Sequence, residues 1–167
     1  MRARFAASVL VLGLVGFGTA GCAFITPQAT TEIVETSDGV NADIGSVAIR
    51  NATLISDDGQ LASLLVSFVN TGEGAQQLTV QYEDEITGKR VTQKVFIDEG
   101  TTSFGAKGTE QILLKNVTAP GSLFPVYFQY GDVSGKQIMV PVLNTSLPEY
   151  DGLAPTPTPT ATLFPAP

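Results

Sequence analysis

Short segments of alternating apolar and polar residues, separated by turn sequences, run through the middle of this chain. In segment 77–83, Leu78, Val80 and Tyr82 alternate with polar residues. A period of two is typical of a strand with one buried and one exposed face. The same reasoning predicts strands at 46–55, 61–69, 90–97, 109–117, 125–130 and 136–143.

Turn residues separate these segments at near-regular intervals, as in Asp57-Asp58-Gly59 and Pro120-Gly121. No segment carries the 3.6-residue apolar period of a long helix. The pattern predicts an all-β fold, an antiparallel Greek-key sandwich of the cupredoxin-like or immunoglobulin-like kind, over residues 38–150.

The 167 residues include no histidine and one cysteine. This composition excludes Ser-His-Asp, Cys-His and His-metal sites, and it excludes an intramolecular disulfide. A Ser-Lys pair would need a shielded lysine, whereas Ser134 and Lys136 fall in a predicted hairpin loop that exposes both side chains. We therefore expect no enzymatic activity, no catalytic residue and no cofactor.

The N-terminus has the order of an export signal. Arg2 and Arg4 precede an apolar stretch at 5–17, whose thirteen residues would cover about 20 Å as a helix, less than the roughly 30 Å hydrocarbon layer. The stretch is therefore interpreted as a signal peptide over 1–21 and not as a membrane span. The sequence Thr19-Ala20-Gly21-Cys22 resembles the bacterial lipobox, which implies lipidation of Cys22. The alternative is an ordinary secretory signal cut near Gly21 that leaves a free thiol.

Lipidation of Cys22 would place the mature protein on the outer face of the cell membrane, because two or more acyl chains anchor a protein stably. Residues 22–37 are interpreted as the lipidated cysteine and a flexible linker, and the Pro/Thr-rich residues 151–167 as a disordered tail. O-glycosylation of Thr156, Thr158 and Thr160 is an alternative use of the tail. The net charge of −7 argues against nucleic-acid binding.

Three segments, 39–51, 69–72 and 124–130, carry a family resemblance. They look like actinobacterial lipoproteins of the LpqE type, which in turn resemble the periplasmic copper chaperones known as PCuAC domains. The resemblance implies a cupredoxin-like sandwich. Copper chaperones bind Cu(I) through paired His and Met side chains, soft ligands that suit that ion. This chain has no His, and Met139 is the one methionine beyond the signal peptide. We therefore expect no metal site, and we interpret Met139 as a packing residue.

Five carboxylates are expected to share one end of the sandwich: Glu83, Asp84, Glu85, Asp98 and Glu99. Oxygen ligands of this kind suit Ca²⁺. The favoured interpretation is a solvated, edge-protecting cluster, because the spaced Asp pattern of a calcium loop is missing.

Four aromatic residues lie on predicted strands: Tyr82, Tyr127, Phe128 and Tyr130. An aromatic core is the favoured interpretation, but Tyr127 and Phe128 should face opposite ways, so that one of them is exposed. Exposed aromatics can anchor a partner. The sequence thus favours a non-catalytic, lipid-anchored envelope protein that binds or scaffolds an unidentified partner protein. The alternative is a metal or small-ligand carrier derived from a PCuAC-type chaperone.

Overall fold

The computed structural model describes residues 37–155. The predicted signal peptide, Cys22, most of the linker and tail residues 156–167 lie outside the described residues. The described strands are β1 (Val40–Ile44), β2 (Val47–Ile55), β3 (Leu61–Asn70), β4 (Gln76–Glu83), β5 (Arg90–Ile97), β6 (Gly100–Phe104), β7 (Ile112–Lys115), β8 (Leu123–Tyr130) and β9 (Lys136–Leu143). A single 3₁₀ turn, Pro148–Tyr150, follows them. Among these residues there is no helix capable of crossing a bilayer.

The strands form two layers that share one hydrophobic core. β4, β5, β8 and β9 form what we call the front sheet, and β1, β2, β3, β6 and β7 form the back sheet. The layers join where β2 and β9 pair in parallel, Leu54 with Val142 and Ile55 with Leu143. The predicted all-β sandwich is confirmed, with this short parallel pairing as a departure from a fully antiparallel arrangement.

Aromatic rings from both layers meet in the core. Phe68 of the back sheet packs edge-on against Phe104 and against Phe128 of the front sheet, with ring centroids 5.8 and 6.0 Å apart. Phe68, Phe124 and Phe128 are fully buried. Burial of such side chains stabilises the fold by roughly 1.5–3 kcal/mol each, so the packing of this core makes a large contribution to stability.

Side-chain hydrogen bonds close the side of the sandwich opposite the β2–β9 junction. The Tyr82 hydroxyl of β4 accepts a hydrogen bond from the Lys115 backbone amide of β7 at 2.9 Å. The Gln93 amide of β5 donates to the Leu113 carbonyl of β7 at 2.6 Å. These bonds satisfy backbone groups of β7 that face no strand, so the layers meet here without a shared strand pairing.

The segment after β9 folds back onto the domain. Tyr150 and Leu153 are buried against Ile55 in a second, small apolar cluster. The Tyr150 hydroxyl donates to the Asp38 carboxylate at 2.6 Å, and burial together with that carboxylate raises the pKa of Tyr150 to about 12. The chain therefore enters and leaves the domain at neighbouring points, and the packed part extends past Tyr150 into the segment predicted as tail.

Candidate binding groove

Alternation along the front-sheet strands gives this sheet a distinct outer face. Gln81 of β4 lies opposite Tyr127 of β8, and Tyr127 lies opposite Gln137 of β9. Their sequence neighbours Tyr82, Phe128 and Ile138 point into the core. The three side chains therefore form a row across adjacent strands, with the tyrosine between the two glutamines.

This row forms the floor of a groove of about 510 Å³. Volumes of roughly 300–1,000 Å³ are typical of small-molecule sites. The groove is lined by polar side chains of four strands together with one proline and two tyrosines: Gln81, Tyr82, Glu83, Arg90, Pro125, Tyr127, Gln129 and Gln137.

The Tyr127 ring leans across the sheet towards Gly135 in the β8–β9 hairpin. A Cβ atom at position 135 would overlap the Tyr127 hydroxyl and would lie 2.6 Å from the Phe128 carbonyl oxygen. Tyr127 is thus in contact with backbone two residues before its register partner, Gln137. A ring that stood upright from the sheet could not reach that atom, so the half-buried Tyr127 lies along the groove floor.

Apart from the Tyr82 hydroxyl, which accepts the Lys115 amide, most polar side chains of the groove have no hydrogen-bond partner in the described part of the fold. Within residues 37–155, the side-chain amides of Gln81, Gln129 and Gln137 make no hydrogen bond to protein. Glu83 and Arg90 are register partners across β4 and β5, yet the described ion pair is Arg50 with Asp43, at 2.8 Å. Each glutamine offers two donors and one acceptor oxygen, and Arg90 offers further donors. The groove therefore presents both kinds of hydrogen-bonding group to solvent.

An apolar strip borders the groove on the outer face of β8 and β9. It consists of Leu123, Pro125, Met139 and Pro141, which are paired across the two strands as Leu123 with Pro141 and Pro125 with Met139. Leu123 is 54% exposed and Met139 46% exposed. The interpretation of Met139 as a packing residue is therefore wrong. The Met139 side chain does point away from Ile138 and Val140, but it points towards solvent.

The four aromatic residues singled out in the sequence separate into two groups. Tyr82, Phe128 and Tyr130 are buried in the core, whereas Tyr127 is half-buried on the outer face. The expectation that Tyr127 and Phe128 face opposite ways is confirmed. Ser134 and Lys136 are both exposed, as expected of that hairpin loop.

The prediction that five carboxylates share one end of the sandwich is wrong. Glu83 ends β4 beside the hairpin turn, whereas Asp98 and Glu99 follow Ile97, which pairs with Gln76 at the other end of the same hairpin. An eight-residue strand separates the two groups by roughly 25 Å. Within residues 37–155 no three His, Cys, Asp or Glu side chains are placed to hold a metal ion.

Asp84 has a structural role in the turn after β4. Its carboxylate accepts hydrogen bonds from the Thr87 amide at 2.8 Å, the Asn116 side chain at 2.8 Å and the Ile86 amide at 3.1 Å. The Thr87 bond and then the Asn116 bond hold the pKa of Asp84 below its ordinary value of 3.8. This carboxylate ties the β4–β5 turn to the end of β7.

Comparison with known proteins gives structural neighbours only. No family model matches the sequence, and no curated protein matches it. Among solved structures, the copper-bound PCuAC domain from PmoF2 has a TM-score of 0.48 at 14% identity, covering 63% of this chain and 98% of that one. The apo PmoF2 PCuAC domain has a TM-score of 0.49 at 14% identity, over 65% and 98% of the two chains. The apo PCuAC domain from PmoF1 has a TM-score of 0.46 at 14% identity, over 62% and 98%.

Proposed function

We propose that this protein is a non-catalytic, lipid-anchored envelope protein that binds a partner protein at the outer face of the membrane. The observation that carries the binding role is the exposed apolar strip of Leu123, Pro125, Met139 and Pro141. Contiguous apolar surface on a soluble domain marks an interaction site more often than scattered apolar residues do. The order of residues 1–22 supports the anchor.

The chemistry of the partner follows from charge. The chain carries a net charge of −7, so basic residues around a complementary apolar patch would speed the encounter and suppress wrong partners. The strip itself carries no charge and would supply the desolvated centre of the contact. The partner is therefore a protein with an apolar patch inside a basic rim.

Site-directed photo-crosslinking in intact cells tests this function. A photoreactive phenylalanine analogue replaces Leu123, and crosslinked proteins are identified by mass spectrometry. The matched control carries the analogue at Leu113, an exposed apolar residue of β7 on the back sheet. We expect one reproducible partner from position 123 and none from position 113.

A second variant tests whether the captured partner contacts the apolar strip. Met139→Asp in the position-123 chain should reduce capture of that partner by about tenfold, because it buries a charge in the apolar contact. Identical capture patterns from positions 123 and 113, or unchanged capture by the Met139→Asp chain, would contradict the proposed docking surface. Metal retained through purification would favour the carrier function instead.

A further inference from the structure

We infer that the groove around Tyr127 is a binding site for a neutral oligosaccharide. This inference goes beyond the proposed function, since it assigns a second ligand to a groove that adjoins the apolar strip and shares Pro125 with it. It is carried by the floor of the groove, by the unused polar groups around it and by their charge.

The floor suits the apolar face of a sugar ring. Tyr127 lies along the sheet because Gly135 leaves room for its hydroxyl end, and its half-buried ring lines the groove. The C–H groups on one face of a pyranose pack against such a ring through dispersion and weak hydrogen bonds. Pro125, on the same strand and outer face, extends the apolar floor.

The surrounding groups suit sugar hydroxyls. A hydroxyl both donates and accepts a hydrogen bond, and so does each glutamine amide. Gln81 and Gln137 flank Tyr127 at neighbouring register positions, and Gln129 lies two residues further along β8. A ring stacked on Tyr127 would therefore meet amides on both sides. Three amides without a protein partner in residues 37–155 are free to exchange water for ligand hydroxyls.

Charge selects a neutral ligand over an acidic one. The groove holds one carboxylate, Glu83, and one guanidinium, Arg90, on adjacent strands, so its local charge is balanced. The chain as a whole is acidic, with a net charge of −7, and repels polyanions at long range. A neutral, hydroxyl-rich chain is not repelled by the acidic protein and needs no net charge in the groove, so it fits this site better than an acidic chain does.

Calorimetric titration of the full chain tests the inference. The protein is held in a detergent without sugar headgroups, and the probes are cellohexaose, mannohexaose and chitohexaose. At least one probe should bind with a dissociation constant below about 1 mM, the affinity expected of a few hydrogen bonds and one stacked ring. A hexamer of galacturonic acid, the acidic control, should bind at least about tenfold more weakly than the best neutral probe.

Variants locate the binding in the groove. Tyr127→Ala should weaken the best probe by about tenfold or more, and Gln137→Ala by a smaller factor, whereas Tyr127→Phe, which keeps the ring, should weaken it less than Tyr127→Ala does. Phe96→Ala is the matched control, because Phe96 is an exposed aromatic residue of the same sheet outside the groove lining. Circular dichroism spectra and melting temperatures establish that each variant is folded.

Three outcomes would overturn the inference: no binding of any neutral probe at about 10 mM, unchanged binding by a folded Tyr127→Ala chain, or equal loss with Phe96→Ala. None of these outcomes bears on crosslinking from position 123. A failure of the sugar site is therefore distinguishable from a failure of the proposed protein contact.

Discussion

Single hydroxyl groups fix the positions of loops against the core in this protein. The Tyr130 hydroxyl, at the end of β8, accepts a hydrogen bond from the Ser46 amide at 2.8 Å and lies 3.0 Å from the Ser46 hydroxyl. Gly45 allows this contact, since a Cβ atom there would overlap the Tyr130 hydroxyl, and its φ of +54° is one that glycine tolerates. The β1–β2 turn is thereby held against the front sheet.

Removing the Tyr130 hydroxyl should destabilise the fold measurably. We expect Tyr130→Phe to lower the free energy of unfolding by about 1–3 kcal/mol, because the Ser46 amide loses its partner in a partly buried place. Tyr127→Phe is the control: its hydroxyl makes no hydrogen bond within the described residues, so the change should be below about 0.5 kcal/mol. Urea unfolding measures both, and equal effects of the two variants would show that the Ser46 contact does not matter.

Asp84 makes the stability of the fold depend on pH. Its hydrogen bonds lower the pKa of the folded state below the ordinary value of 3.8, so the charged form stabilises the folded protein. That stabilisation is present above the unfolded pKa and is lost as the pH falls through the folded pKa. The stability advantage of the parent over Asp84→Asn should therefore be largest above pH 3.8 and shrink below it.

The measurement is a set of urea unfolding curves for the parent and for Asp84→Asn between about pH 6 and about pH 2. Asp58→Asn is a useful control, since Asp58 lies in an exposed turn and, between residues 37 and 155, accepts a hydrogen bond only from the Gln60 amide. An Asp84→Asn difference that stays constant over the whole range would contradict the role assigned to its charge.

At the level of elements, the segment after β9 belongs to the packed domain. Leu153 is 7% exposed and packs in the small cluster with Ile55 and Tyr150. Leu153→Ala should lower the free energy of unfolding by about 2 kcal/mol, the lower end of the range for buried leucines, because the site lies near the surface. Leu147→Ala, at a position 47% exposed, should change it by less than about 0.5 kcal/mol. Thermal unfolding compares the two, and equally small shifts would mean that the segment is not docked in solution.

Seven of the nine strands could be predicted from alternation and turn residues, with ends shifted by up to three residues. β6 was missed because Gly100–Phe104 contains a single large apolar residue, and its pairing with β3 supplies what its own sequence lacks. β1 was also missed, although Val40, Ala42 and Ile44 alternate with polar residues as expected of a short strand. Alternation along a segment predicts which side chains share a face of the sheet. Whether a short polar segment forms a strand at all depends on the strand with which it pairs.

The candidate site was less predictable than the strands that build it. The sequence indicated that either Tyr127 or Phe128 is exposed, but the groove depends on the register of β4, β8 and β9, which are separated in the chain by up to about 60 residues. No local pattern fixes pairing between strands so far apart. The misplaced carboxylates were a different failure, because the antiparallel course of β4 and β5 already puts Asp98 and Glu99 at the end away from Glu83.

At the scale of the whole molecule, the hydrogen bond between Tyr150 and Asp38 brings together the points where the chain enters and leaves the domain. A linker from residue 22 would therefore reach the domain at the end where the tail also departs. The loops at 71–75 and 131–135 connect strands at the opposite end, beyond Asn70 and Tyr130. The Tyr150–Asp38 contact and these two loops therefore lie at opposite ends of the described domain.

The intact mass of the protein extracted from its host membrane tests the central claim, that Cys22 anchors a binding domain to the cell surface. The account predicts a chain that begins at Cys22 and exceeds the mass of peptide 22–167 by at least a diacylglyceryl group, with the Cys22→Ala chain lacking this increment. A mature protein whose mass equals that of the unmodified peptide would contradict it.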